Sequence, residues 1–114
     1  MTKLRLAPLG AGLDISVVIP VHNEAENVAA LAAEIAAALR GKTSFEIVFV
    51  DDGSTDNTGT ELLRLTEVYP ELRAVTHDRK SGQSIAVATG VRAARGATIV
   101  THRRRRPERS RLHS

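Results

Sequence analysis

The sequence predicts an α/β domain in which a parallel sheet carries helices on its faces, and three observations predict it. Short, β-branched apolar runs recur four times along the chain. A stretch with helical spacing separates each run from the next. Polar clusters rich in Asn, Asp, Gly and Ser follow the ends of the first three runs. Strands that alternate with helices pair in parallel through right-handed crossovers. Ligands of such sheets bind beyond the carboxyl ends of the strands, where all three clusters fall.

The first run, residues 15–19, is fully apolar, as a strand buried on both faces must be, and Pro20 is expected to end it. A helix is expected from Asn23, with Asn23 as its N-cap and Glu26 as the reciprocal acid. Val28, Leu31, Ala32, Ile35 and Leu39 form its apolar face, and Gly41 terminates it. Residues 47–50 make the second strand and 51–55 a polar turn. A helix over 56–69 follows, turning Leu62, Leu65 and Tyr69 to the sheet before Pro70. The third strand covers 72–76, and 77–82 is a polar loop. A small-residue helix covers 83–95, with Gly96 as its cap, and 97–101 is the fourth strand. The total is four parallel strands and three helices.

Composition narrows the function. The chain has 114 residues, 42% of them hydrophobic and 3% aromatic, so its core is built from Ala, Val, Ile and Leu. With no cysteine it has neither disulfides nor thiolate metal sites. No signal peptide and no run of about 20 apolar residues is visible, which reads as a cytoplasmic chain without a transmembrane segment. The net charge of +3 comes from six arginines between His102 and Ser114; the remaining residues hold ten Lys and Arg against twelve Asp and Glu. Three segments result: an N-terminal extension over 1–14, a domain over 15–101, and a basic tail over 102–114 expected to be disordered.

Each polar cluster has a plain structural reading and a functional one. Asp51 and Asp52 can accept hydrogen bonds from a base or a ribose, Gly53 permits a tight turn, and Asp56 can simply cap a helix. Asn23 and Glu24 suit a helix start as well as a binding loop. Arg79, Lys80, Ser81, Gly82 and Gln83 place cations and a glycine at a helix N-terminus, a plausible anion site. A dinucleotide fingerprint is excluded by position, because Gly10 and Gly12 precede the first strand and no glycine follows it.

Taken together, I-S-V-V-I-P-V-H-N-E-A-E (15–26) and E-I-V-F-V-D-D-G-S-T-D (46–56) resemble the opening of family-2 glycosyltransferases, which have the GT-A fold. The stretch H-D-R-K-S-G-Q-S-I-A-V-A-T-G (77–90) is most similar to the dolichol-phosphate mannosyltransferase group and its bacterial polyprenyl-phosphate relatives. The resemblance implies a partial GT-A domain that binds a nucleotide-sugar donor, in a family that transfers a hexose to a polyprenyl phosphate or similar acceptor. It places Pro20, Asn23 and Glu24 in the base and ribose pocket with Val21 as an apolar wall. It gives Asp51 and Asp52 the base and ribose, lets Gly53 and Ser54 shape the turn, and puts Arg79, Gly82 and Gln83 near the sugar diphosphate. His22 departs from the tyrosine common in that group.

The family also implies a divalent metal, Mg or Mn, held by an Asp-x-Asp motif after the fourth strand. This chain has Thr101-His102-Arg103-Arg104-Arg105-Arg106 there, so the ligands are expected to be missing and no catalytic base is named. Read one base later, codons for residues 102–110 can encode I-D-G-D-G-Q-N-D-P, which contains the motif. The expectation is therefore a frameshifted, truncated and inactive chain whose fourth strand has a bare edge. A small nucleotide- or nucleic-acid-binding module with an Arg-rich arm is the rival. The tail carries no aromatics for base stacking and the rest is mildly acidic, so no nucleic-acid partner is expected.

Overall fold

A computed structural model describes residues 12–102. Seven elements alternate: β1 (Ile15–Val21), α1 (Val28–Leu39), β2 (Phe45–Asp52), α2 (Thr58–Val68), β3 (Leu72–His77), α3 (Gln83–Ala93) and β4 (Thr98–Thr101). All pairings are parallel and the strand order is β3-β2-β1-β4. The chain moves outward from β1 to β3 and then returns across the sheet to β4. With right-handed crossovers, that reversal places α1 and α2 on one face and α3 on the other. Packing shows the same division. Val17, Ile19, Ile47 and Phe49 join the residues of α1 and α2, while Val18, Val48 and Val50 join Ala86 of α3. With Phe45 and Phe49 both buried, the core is not aliphatic alone as the composition suggests.

The α/β architecture with four parallel strands and three helices is as the sequence predicts; the boundaries differ in instructive places. Pro20 lies inside β1, opposite Val50, instead of ending it. The Val18 carbonyl accepts from His102 N on the β4 side. By alternation the proline nitrogen points the same way, past the end of β4, where no ladder bond is lost. α1 begins at Val28 with Asn27 before it, and Asn23 is not its cap. At φ +53° Asn23 sits in the left-handed region, and its side chain serves another loop. α2 likewise starts two residues later than expected, although Asp56 Oδ1 does accept from Thr58 N at 2.8 Å. Gly41, at φ +81°, follows the end of α1 as expected.

Gly96 does not cap α3, which ends at Ala93. Its N–H donates to Ser16 Oγ at 2.7 Å, and a Cβ there would lie 2.6 Å from the Ser16 nitrogen. This glycine belongs to a buried polar clasp across the amino-terminal end of the sheet. Glu46 accepts from Ser16 Oγ at 2.6 Å, from Arg73 Nε at 3.0 Å and from Arg95 N at 2.7 Å. Burial alone would raise the Glu46 pKa; the bonds from Ser16, Arg95 and Arg73 outweigh it and hold the carboxyl below its ordinary value. Residues before β4 and on β1, β2 and β3 are thereby tied to one carboxylate.

The extension expected over 1–14 is joined to the domain at its end: Ser44 Oγ donates to the Gly12 carbonyl and Asp14 N donates to the Ser44 carbonyl. All four residues of β4 are exposed, and β4 is an edge of the sheet. Among the described residues no helix is long and apolar enough to cross a membrane.

Candidate functional site

The carboxyl ends of β1 and β2 and the start of α3 enclose a cavity of about 380 Å³, within the range of small-molecule sites. It opens where the order of connection reverses, between strands leading outward and the strand that returns. Its lining is Pro20, Val21, His22, Glu24, Asp52, Lys80, Gly82, Gln83 and Ala86.

Of the eleven residues expected to bind a nucleotide-sugar, Pro20, Val21, Glu24, Asp52, Gly82 and Gln83 line this cavity. The other five stand behind it or beside it. Asn23 Oδ1 accepts from Thr55 N at 2.8 Å and Asp56 N at 3.3 Å, and Asn23 N donates to Ser54 Oγ at 2.9 Å. Asn23 and Ser54 therefore staple the loop after β1 to the loop after β2. Gly53, at φ +65°, lets the backbone of residues 79–80 pack directly on the turn. Arg79 lies outside the lining, whereas its neighbour Lys80 is part of it.

Asp51 and Asp52 part company because side chains alternate along a strand. Asp51 points to the α1 and α2 face, is 3% exposed, and accepts from Ser54 N at 3.1 Å. Asp52 points to the α3 face and the cavity. Its Oδ1 accepts from His77 Nδ1 at 2.9 Å and Ser81 N at 2.8 Å, and its Oδ2 accepts from Gly82 N at 2.9 Å. Burial alone would raise the Asp52 pKa, but His77 and the two amides outweigh it and hold the carboxyl below its ordinary value. The amides leading into α3 were expected near a donor's phosphates; those of Ser81 and Gly82 are instead taken up by the chain's own Asp52 carboxylate.

Lys80, His22 and Ala86 complete the wall and were not among the expected binding residues. Lys80 and Arg79 are adjacent loop cations, and their charge alone does not tell which of them turns inward. His22 Nδ1 donates to the Asp52 carbonyl at 2.8 Å, leaving Nε2 as the acceptor, 3.4 Å from Asn23 Nδ2. The ring is thus fixed edge-on to β2. Glu24 N donates to Thr58 Oγ1 at 2.9 Å, which ties this loop to α2 as well.

Among the described residues no group of three or more His, Asp or Glu side chains is placed to hold a metal ion. Asp52, the most deeply set acid of the cavity, already has both oxygens engaged. No complete set of protein ligands for a divalent cation is therefore assembled among the described residues. The re-read motif and the Arg-rich arm fall, apart from His102, outside the described residues.

Comparison with known proteins agrees with this geometry. Residues 16–102 match the family model described as glycosyl transferase family 2. The undecaprenyl-phosphate 4-deoxy-4-formamido-L-arabinose transferase of Yersinia pestis (strain Pestoides F) is 40% identical over 90 residues, covering 76% of this chain. The chain spans 27% of that relative's length. Among solved structures, the mannosyltransferase PcManGT from Pyrobaculum calidifontis, in complex with GDP-Man and Mn2+, superposes with a TM-score of 0.64 at 27% identity. That match covers 77% of this chain and 28% of the other. S. aureus TarS 1-349 in complex with UDP-GlcNAc superposes at 0.67 and 27% identity, over 80% of this chain and 26% of the other. The GT-A fold expected from the motifs is the fold of these glycosyltransferases. A cavity at the switch point, three strand-end loops converging on it and a family match over residues 16–102 lead to one assignment: this chain belongs to glycosyl transferase family 2.

Proposed function

We propose that this chain is the donor-binding segment of a glycosyltransferase, receiving the nucleotide of a nucleotide-sugar in the cavity beyond β1 and β2. One observation carries the reading: Pro20, Val21, Glu24 and Asp52 stand together as one wall at the point where the sheet reverses. Pro20 and Val21 offer an apolar face to a base. Glu24 and His22 Nε2 offer acceptors for N–H or hydroxyl groups, and Lys80 brings a cation to the same space. Asp51, Asn23, Gly53 and Ser54 shape the loops from behind, and Arg79 lies beside them.

The acceptor we propose is a polyprenyl phosphate, supported by the name of the Yersinia relative. A phosphate oxygen of the acceptor attacks the anomeric carbon, the bond from that carbon to the diphosphate oxygen breaks, and a nucleoside diphosphate leaves. The phosphate is already an anion, so no general base is required. The sugar is proposed as a hexose, supported by the GDP-Man and UDP-GlcNAc complexes of two neighbours. The arabinose of the Yersinia relative is the five-carbon rival. A metal of the kind found with PcManGT would draw its ligands from outside the described residues. Nucleotide binding is the activity we assign to the described residues.

The test is a titration of the 114-residue chain with UDP, GDP and the matching nucleosides, followed by amide NMR. Shifts centred on Val21, Glu24, Asp52 and Gln83 are expected. Absence of shifts at millimolar nucleotide, or shifts centred elsewhere, overturns the assignment.

A further inference from the structure

His77 closes β3 and lies outside the cavity lining, yet its ring joins the elements that build the site. Nδ1 lies 2.9 Å from Asp52 Oδ1 on β2, and Nε2 lies 2.8 Å from Thr89 Oγ1 on α3. A carboxylate only accepts, so Nδ1 carries the proton that faces Asp52. Nε2 pairs with a hydroxyl that can rotate to donate or accept. The side chain is 17% exposed, and that of Asp52 is 5% exposed.

We infer that His77 is a positioning residue for the nucleotide site, fixing the Asp52 carboxylate so that it gathers the Ser81 and Gly82 amides and sets the loop that carries Lys80 and Gln83. The geometry leaves Asp52 little choice. Its Oδ1 is shared between the His77 ring and Ser81 N, and its Oδ2 takes Gly82 N. Gly82 is held at φ +104°, a conformation the rest of the loop must support. The floor of the same loop rests on Gly53. Without the ring, the carboxylate can turn about its own side-chain bonds and the amides lose a fixed acceptor. The loop would then sample more shapes, and a ligand would have to order it on binding. The Thr89 contact anchors the ring to α3 but does not touch the carboxylate. The two nitrogens therefore do different work and can be tested apart.

His77→Asn keeps an amide where Nδ1 stands and loses the Thr89 contact. His77→Gln reaches Thr89 and loses the donor to Asp52. His77→Leu loses both. The first readout is hydrogen exchange of the Ser81 and Gly82 amides, with no nucleotide present. Exchange is expected to quicken about tenfold or more in His77→Gln and His77→Leu and to stay near the parent in His77→Asn. A residue that merely fills space would instead show losses tracking the size of the replacement, with no rescue by Asn. If Leu prevents folding, the Asn and Gln pair still decides.

The second readout is UDP and GDP affinity, and it rests on the nucleotide reading proposed above. Affinity is expected to fall about tenfold in the Gln variant and to hold in the Asn variant. If the parent chain binds neither nucleotide, that reading fails while the exchange data still judge the clamp. Unchanged exchange in His77→Gln, or full affinity despite quickened exchange, overturns the inference.

Discussion

Gly53 lies directly beneath the amide of Lys80: a Cβ on Gly53 would stand 2.3 Å from the Lys80 nitrogen and 2.4 Å from the Arg79 carbonyl carbon. The glycine is thus required twice, once by its φ of +65° and once by the loop lying on it. Both neighbours are backbone, so neither can swing aside.

Gly53→Ala is accordingly expected to cost at least about 2 kcal/mol, combining the left-handed penalty with displacement of residues 79–80. Urea denaturation measures it. A variant as stable as the parent would show that the loop does not rest on this turn.

Gly90 allows the sign of a substitution to be decided by packing. On an exposed helix, Gly→Ala gains about 1 kcal/mol from helix propensity. Here a Cβ would lie 2.3 Å from Val18 Cγ1 and 3.0 Å from Val50 Cγ2, both fully buried on the sheet. Overpacking costs about 1–3 kcal/mol, so Gly90→Ala is expected to lower the thermal midpoint. Combined with Val18→Ala, the loss is expected to be smaller than the sum of the two single losses; additive losses would mean the helix does not press on that valine.

Asn23 holds a left-handed backbone and supplies an acceptor to Thr55 and Asp56. Asn23→Gly keeps the first and removes the second, whereas Asn23→Ala removes both. The alanine variant is expected to lose about 1–2 kcal/mol more than the glycine one. Equal losses in a denaturation series would leave only the side-chain bond as the cause.

The depressed carboxyls of Glu46 and Asp52 predict the acid limb of stability. A group whose pKa is lower in the folded state adds stability above its unfolded pKa, about 4 for these acids. That stability disappears as the pH falls through the lower folded value. Midpoints should therefore be flat near neutrality and decline steeply on the acid side. Glu46→Gln should be less stable at neutral pH and show a shallower decline, because the titrating group of the clasp is gone. An unchanged acid slope would assign the decline to other groups.

Much of this was legible in the sequence because it is local or periodic. Apolar runs fixed which segments are strands, and their polar ends marked the rim of the cavity. The opposed directions of Asp51 and Asp52 follow from strand alternation once β2 is carried through both residues. Ending that strand at Val50 treated the two acids as one turn and hid the difference. Pro20 misled for a related reason, since a missing N–H matters only on a side where a neighbour waits. The engagement of Asp52 by His77, Ser81 and Gly82 spans 25 to 30 residues and leaves no local signature. Charge alone does not separate Lys80 from Arg79; only the folded loop shows that Lys80 lines the cavity.

The clasp around Glu46 lies at the opposite end of the sheet from the cavity. The strands that carry Ser16, Glu46 and Arg73 are the ones that go on to deliver Val21, Asp52 and His77. Persistence and choice are thereby written at opposite ends of the same three segments. Loop exchange at positions 22, 24, 80 and 83 would alter the lining of the cavity while leaving the fastening untouched.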